Sequence, residues 1–493
     1  MLSAPTLAAA CLALASLYWL SWCVYALYFH PASKYPGPKL AAVSEVWYVW
    51  RTLSGKEQSI MRRVHEKYGP VVRIAPNELS FDSVQSMRDI LLPKSKGPFI
   101  KSELLYDTGD PAPPLGYLRD YDAHALYRKR MAPSFSATAL RVQEGVINEY
   151  LDLWIKRLPE LGGENTNGLE MGEAFTWLTF DIMGRLGFGQ GFDCIKNGKS
   201  SAWVALMSKA EWLPLYALAG LRKRFPAIVA FIPFLLPKGA PGKIKQHKEM
   251  SADMVRKRIQ MDQIEDDWFA PVVRDIKLGK ESPQYMESET SFFAMAGAET
   301  TATALLAAMY FLKTNPEWLG KLRKEITDAC GSSYVGITGS STAALPYLNA
   351  FIQESIRRYG PVPMGLPRIS PGAFIDGHYV PEGMKMSTNI WLAQHNPRSW
   401  VDPEEFKPER WLGDPDWQVD GEVPGMIGFS LGRNQCLGIN LAYLELRLIL
   451  SKLVFSYDWE IIKEPKNLVD ESEVYFLWKK PKYVVKFHPV AHQ

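Results

Sequence analysis

FSLGRNQCLG, Phe429 to Gly438, delivers one cysteine, Cys436, to the start of an apolar segment, INLAYLELRLILSKLV (Ile439 to Val454). Gly432 and Gly438 let the backbone turn and come close to a flat partner, and Phe429 is placed to pack beside the sulfur. The spacing predicts a helix beginning just after the cysteine. Backbone N–H groups at a helix N-terminus lower a thiol's pKa, so Cys436 is expected to be a thiolate and a ligand for a soft or intermediate metal. One thiolate with no second Cys or His beside it does not make a zinc or iron–sulfur site, which takes about four protein ligands. A buried structural cysteine is the plain alternative, and the ten-residue setting argues against it.

A single axial thiolate is what a haem iron takes when electron density is to be pushed onto bound dioxygen. The stretch resembles F-x-x-G-x-R-x-C-x-G, the haem-binding signature of the cytochrome P450 haem-thiolate monooxygenases, at Phe429, Gly432, Cys436 and Gly438. The signature's arginine falls on Asn434, and the nearby arginine is Arg433, one residue early. Either the loop slips so that Arg433 reaches a haem propionate, or that contact is lost and His124, Arg128 and Arg368 carry the propionates. The second is expected, because Cys436 and Gly438 fix the register on one side and Phe429 and Gly432 on the other.

Working outward, the 493 residues carry a net charge of +3, and no linker-like composition interrupts them, so one large core is expected. Basic residues are scattered, and nothing points to nucleic acid. Five cysteines, two of them within the first apolar run, do not form a disulfide framework, so the body is expected in the cytosol. Leu7 to Phe29 runs without a charge and spans about 34 Å as a helix, enough for a bilayer core of about 30 Å. A cleaved signal peptide would have a basic start and a shorter apolar core. Trp19, Trp22, Tyr25 and Tyr28 suit an interfacial belt. Lys34, Lys39, Arg51 and Lys56 follow the span while no Lys or Arg precedes it, which places the body on the cytoplasmic side. The expected organisation is a short lumenal N-terminus (1–6), a transmembrane anchor (7–29), a Pro-rich elbow (30–40) and a catalytic domain (41–493). The microsomal members of the family share it.

Within the body, Val71 to Phe81 reads as two strands about a turn at Pro76-Asn77. Lys94 to Leu118 reads as an irregular apolar lid with Phe99, Ile100, Leu104, Leu105 and Tyr106. In DAHALYRKRMAPSFS, His124 and Arg128 share a helical face, and Arg128, Lys129 and Arg130 form a basic cluster. The resemblance implies that His124 and Arg128 bind haem propionates. Ala219 to Gly242 is apolar but broken by prolines, so it is not a second span. In the family this region dips into the membrane surface, here through Phe231, Ile232, Phe234, Leu235 and Leu236.

SFFAMAGAETTATALLAAMYFL (Ser291 to Leu312) puts Phe292, Met295, Ala296, Glu299 and Thr300 on one helical stripe. An acid and a hydroxyl on a core-facing stripe need a reason, since unpaired buried polar groups cost free energy. AGAETT resembles the family's oxygen-activating motif. The resemblance implies that Gly297 permits a local widening of the helix, that Thr300 holds a proton network and that Glu299 connects it to solvent. Glu354 and Arg357 form the E-x-x-R of this chain, followed by PERW (Pro408 to Trp411). By the same resemblance Glu354, Arg357 and Arg410 form a buried structural triad, and Arg368 is another propionate partner. Phe374 to Asn396 reads as short strands with a Pro-Glu-Gly turn, and Val474 to Phe487 as a last hairpin whose tip borders the pocket.

Together the motifs imply a mainly helical fold with small β-sheets, haem b lying between the AGAETT helix and the cysteine-loop helix. The similarity is greatest to fungal microsomal members of secondary metabolism. The implied reaction is insertion of one oxygen atom from dioxygen into an apolar small molecule. Phe292, Phe293, Met295, Val362 and Met364 are expected around that substrate. The chain shows no Gly-rich dinucleotide fingerprint and no flavin domain, so NADPH and flavins are expected on a partner NADPH–cytochrome P450 reductase, with cytochrome b5 as a second donor. Arg128, Lys129, Arg130, Lys321, Arg323 and Lys324 are expected to form the docking face. The membrane implied is that of the endoplasmic reticulum. The rival readings are a haem-thiolate enzyme for oxidative coupling, desaturation or rearrangement without net oxygen insertion, and a non-catalytic membrane haem sensor.

Overall fold

The computed structural model describes residues 4–92, 98–107, 109–208, 224, 239–261, 267–331, 333–419 and 425–490. Lys94 and the apolar residues Phe231, Ile232, Phe234, Leu235 and Leu236, expected at the membrane surface, lie outside them.

The chain begins with an exposed apolar helix, Ala4–Val24, prolonged by a π-type turn, Tyr25–Phe29. No residue of its apolar window is buried against the body, as suits a helix that meets lipid. Its far end is tied down. The buried Arg73 donates from Nη1 to the Ala26 carbonyl (2.6 Å) and from Nη2 to the Pro76 carbonyl (2.7 Å), and Trp22 Nε1 donates to the Val43 carbonyl (2.8 Å). A second stretch, Pro283–Thr314, is also long and apolar enough to cross a membrane, but it is 67% buried inside the body and is a core helix.

Val71–Ala75 and Glu78–Phe81 form the expected hairpin. It continues into a five-stranded sheet through the parallel partner Lys385–Thr388, then Arg368–Ile369 and the edge strand Ile100–Lys101. Lys101 stands opposite Arg368 in that register. The sheet lies beside a helical body formed mainly by Ala137–Gly162, Met171–Phe188, Pro283–Thr314, Pro346–Arg358 and Ile439–Ser456. Wholly buried Leu305, Leu306, Met309, Leu448, Ile449 and Trp154 lie in its core, each aliphatic chain contributing roughly 1.5–3 kcal/mol.

Three local expectations are corrected. The lid is not irregular throughout: it contains the strand Ile100–Lys101 and the turn of helix Glu103–Tyr106, capped by Ser102. Ile390–Gln394 is helical where strands were expected, because Asn389 caps it by accepting from the Leu392 N–H (3.0 Å). The last hairpin is two structures. Glu473–Val474 pairs with Trp478–Lys479, whereas Val484–Pro489 pairs with Tyr457–Lys463 and Leu169–Glu170.

Candidate functional site

A cavity of about 340 Å³ lies between the core helix and the cysteine loop. Ala296, Gly297, Thr300, Thr301 and Ala304 line it from the helix, and Phe429, Cys436, Gly438 and Ala442 line it from the loop and the helix that follows. Small residues on both sides, among them Gly297, Ala304, Gly438 and Ala442, keep this slot open.

The helix side owes its shape to a π-type turn, Met295–Glu299, between Pro283–Ala294 and Thr300–Thr314. A β-carbon at Gly297 would sit 2.5 Å from Met183 Sδ, so glycine lets two helices close up at the widened turn. Thr300 Oγ1 donates to the Ala296 carbonyl (2.5 Å) and stays on the cavity wall. Glu299 points elsewhere: its carboxylate is held by Lys480, whose Nζ also donates to Thr303 Oγ1 (3.1 Å).

In the cysteine loop, Cys436 N–H donates to the Phe429 carbonyl (2.8 Å) and Gln435 N–H to the Gly432 carbonyl (3.0 Å). Gly432 has φ +59°, and a β-carbon there would approach the Leu91 carbonyl oxygen to 2.9 Å. Phe429 packs on Tyr443 with ring centroids 5.2 Å apart. The thiol is exposed to the cavity and enclosed by protein on its other sides. Burial pushes its pKa up, against the Gly438 N–H and the Arg128 charge, which pull it down. A bound metal ion would hold the sulfur deprotonated.

One rim of the cavity is cationic. His124 and Arg128, on the helix Tyr121–Met131, meet Lys101 and Arg368 from the sheet edge. Burial and then the charges of Lys101, Arg128 and Arg368 lower His124 to about 4. Burial, Arg368 and Arg128 lower Lys101 to about 7. Among the described residues these donors find only neutral partners, including the Gly116 carbonyl for Lys101 (2.8 Å), the Gln435 carbonyl for Arg128 (2.7 Å) and the Tyr106 hydroxyl for Arg368 (2.9 Å). Arg368 Nε has no hydrogen-bond partner among the described residues. A group bearing two carboxylates would relieve this mutual repulsion, so the slot, the thiol and the rim fit a haem.

Arg433 does not line the cavity; it lies over the ring of Tyr121, while Asn434 is on the wall. Phe292, Phe293, Met295 and Val362 line the apolar end, and Met364 does not. Leu105 and Tyr106 are on the wall, whereas Phe99 packs within the sheet's apolar cluster and Ile100 is exposed. Phe476 and Leu477, at the tip of the short hairpin, complete that end.

Away from the cavity, Glu354, Arg357 and Arg410 are wholly buried together. Glu354 accepts from Arg357 (2.8 Å twice), Arg410 (3.1 Å), Trp411 Nε1 (2.9 Å) and Lys407 N–H (2.9 Å). Burial opposes ionisation, yet Arg357 and Arg410 hold this carboxyl below the usual range. The supposed docking cluster divides instead. Arg128 turns to the cavity, and Arg130 pairs with Asp275 (2.5 Å) and Glu281 (2.9 Å). Lys321, Arg323 and Lys324 pair with Glu409, Asp458 and Asp328. Lys129 is exposed.

Sequence reasoning missed Lys101, Lys480 and two buried acids, Glu289 and Glu445. Burial lifts Glu445 to about 8 against a hydrogen bond with Thr301, and both residues line the cavity. A signal was present for Glu445, which interrupts the apolar run Ile439 to Leu450, but not for Glu289, which lies in the polar run Glu287 to Ser291.

A sequence model of the cytochrome P450 family matches residues 36–487. The chain is 36% identical over 482 residues to cytochrome P450 monooxygenase ORF9 of Penicillium roqueforti (strain FM164), covering 97% of this chain and 93% of that protein. It is 36% identical to cytochrome P450 monooxygenase BOA3 of Botryotinia fuckeliana (strain B05.10), covering 94% and 92%. To the trichothecene C-15 hydroxylase of Fusarium sporotrichioides it is 34% identical, covering 93% of each chain.

Proposed function

The chain belongs to the cytochrome P450 family, and from that premise we propose that it inserts one oxygen atom of dioxygen into an apolar small molecule of a fungal secondary-metabolite pathway. The other oxygen leaves as water. The observation that carries this reading is the single cavity wall shared by Cys436, Thr300 and apolar side chains, closed on one rim by cations.

Cys436 would hold the iron of haem b, and His124, Arg128, Arg368 and Lys101 its propionates. When bound, the haem supplies the activation of dioxygen, strengthened by its thiolate ligand. Thr300 holds a proton at Oγ1 on the cavity wall, beside the π-type turn. Glu299, gripped by Lys480, stands behind the wall as the proposed link between Thr300 and solvent. Phe292, Phe293, Met295 and Val362 bind the apolar substrate and exclude water around it. Electrons come from an NADPH–cytochrome P450 reductase, with cytochrome b5 as a second donor. The helix Ala4–Val24 supports a single-pass anchor in the endoplasmic reticulum membrane, with the body in the cytosol.

Metabolite profiling of a deletion strain identifies the accumulating substrate. The purified chain, reductase, NADPH and oxygen-18 dioxygen should then yield a product carrying one labelled atom. An unlabelled, rearranged or coupled product overturns oxygen insertion.

A further inference from the structure

Glu289 sits one turn before Phe292 and Phe293 on the helix that forms the cavity's upper wall. It is wholly buried, and among the described residues no cation meets it. Its Oε1 accepts two hydrogen bonds, from the Leu115 backbone N–H (2.6 Å) and the Tyr285 hydroxyl (2.6 Å). Its Oε2 has no partner among the described residues. A leucine of similar size would fill the same space without the cost of burying a carboxyl. The carboxyl's contribution is therefore to be sought in what it holds.

What it holds is a loop with few donors of its own. Pro111, Pro113 and Pro114 have no N–H, so Leu115 supplies the first backbone donor after the paired prolines, and it points inward to Glu289. The next residue is pressed against the same helix. A β-carbon on Gly116 would lie 2.2 Å from Phe292 Cζ, and Lys101 Nζ donates to the Gly116 carbonyl (2.8 Å). Tyr117 then meets Phe292 edge to face, with ring centroids 5.9 Å apart. Leu115, Gly116, Tyr117 and Phe292 all line the cavity.

We infer that Glu289 is a positioning residue: it clamps Leu115 so that Leu115–Tyr117 lies flush on Phe292 as a fixed wall, and it thereby sets how bulky an apolar substrate the cavity admits. This role rests on the reading of the cavity as the oxidation site. Tyr285, the other donor to Oε1, packs at a tilt on Tyr127 with ring centroids 4.5 Å apart.

The test uses the full-length, haem-loaded protein in detergent, with two iron-ligating probes, imidazole and the bulkier 4-phenylimidazole, read by their spectral shifts. In Glu289→Leu, exchange of the Leu115 amide should rise about tenfold, as expected for loss of one hydrogen bond. The dissociation constant for 4-phenylimidazole should shift about five- to tenfold, while that for imidazole moves less than about twofold. Glu289→Gln keeps the accepting oxygen and should restore both readings. Tyr285→Phe removes the other donor and should leave both near wild type. Unchanged exchange and unchanged probe selectivity in Glu289→Leu overturn the inference, as does an equal disturbance by Tyr285→Phe. If Glu289→Leu does not fold, Gly116→Ala lifts the loop off Phe292 and must shift the same probe ratio; an unchanged ratio overturns the inference. The reduced carbon-monoxide spectrum of the wild type separates the two layers. Without a thiolate-type spectrum the oxidation-site reading falls, and this role with it. With such a spectrum and no change at the Leu115 amide, the clamp alone falls.

Discussion

Glu354 and Glu289 are both wholly buried carboxyls on helices, yet the protein treats them in opposite ways. Glu354 is surrounded by donors from two arginines, an indole and a backbone N–H, and is held ionised. Among the described residues Glu289 has two neutral donors and no cation, and burial pushes it up to about 7. The arginines differ in the same sense. Arg357 and Arg410 are spent on Glu354 and on carbonyls behind the cysteine loop, whereas Arg128 and Arg368 crowd with Lys101 on the cavity rim without an acid. A polar cluster matched within the chain belongs to the scaffold. One left unmatched borders the cavity and is matched by whatever enters it.

The largest effect should come from breaking the matched cluster. Glu354→Ala strands two buried guanidiniums and should cost about 3–5 kcal/mol, read as a sharply lowered unfolding temperature and poor haem content. A variant that melts with wild type would remove the scaffold side of the comparison.

The pH dependence should differ next. Glu289 has a raised folded pKa, so between about 4.3 and about 7 the folded state keeps a proton that the unfolded state has lost. Its contribution therefore falls as pH rises through that window, by on the order of 3 kcal/mol. Glu354 has a lowered folded pKa, so its contribution is present above the unfolded value and is lost as pH falls through the folded one. Denaturant unfolding of wild type and Glu289→Gln from pH 4 to 8 checks this, with the Gln variant losing the Glu289 slope; parallel curves would contradict it.

On the rim, Arg128→Ala should speed haem transfer to apomyoglobin about ten- to a hundredfold, the equivalent of one charge-assisted hydrogen bond of roughly 1.5–3 kcal/mol. The apoprotein should melt as wild type does. Arg433→Ala should change transfer little, since this side chain lies on Tyr121, and Asn434→Arg should slow it. Fast loss from Arg433→Ala with no gain from Asn434→Arg would mean that Arg433 makes the contact.

The smallest structural effect belongs to Thr300→Ala, which should leave stability within about 0.5 kcal/mol and haem content unchanged. Reducing equivalents from NADPH should appear increasingly as hydrogen peroxide. Unaltered product per NADPH would reduce Thr300 to packing.

Much of the site was legible where one short stretch does the work. A turn-rich loop before an apolar helix singled out Cys436, AGAETT put a hydroxyl and an acid beside a glycine, and an i, i+3 Glu–Arg pair with PERW marked the buried triad. Backbone geometry and neighbours within one helical turn govern such features, so they are written along the chain. In RKR, however, composition gave three equal cations. Helix packing sent Arg128 to the cavity and Arg130 to Asp275 and Glu281.

By itself the sequence singled out Cys436 and the apolar first helix, through a contiguous motif and an unbroken apolar run, and its resemblance to the family implied the mainly helical class and the triad. Tertiary structure alone decided the rest. Strand register set Lys101 opposite Arg368, and the loop's close approach at Gly116 brought Leu115 to Glu289. The fold of the last strands carried Lys480 to Glu299. Each of these joins groups far apart in the chain, and which groups meet depends on how whole elements pack and slide against one another, a property that no single stretch of sequence contains.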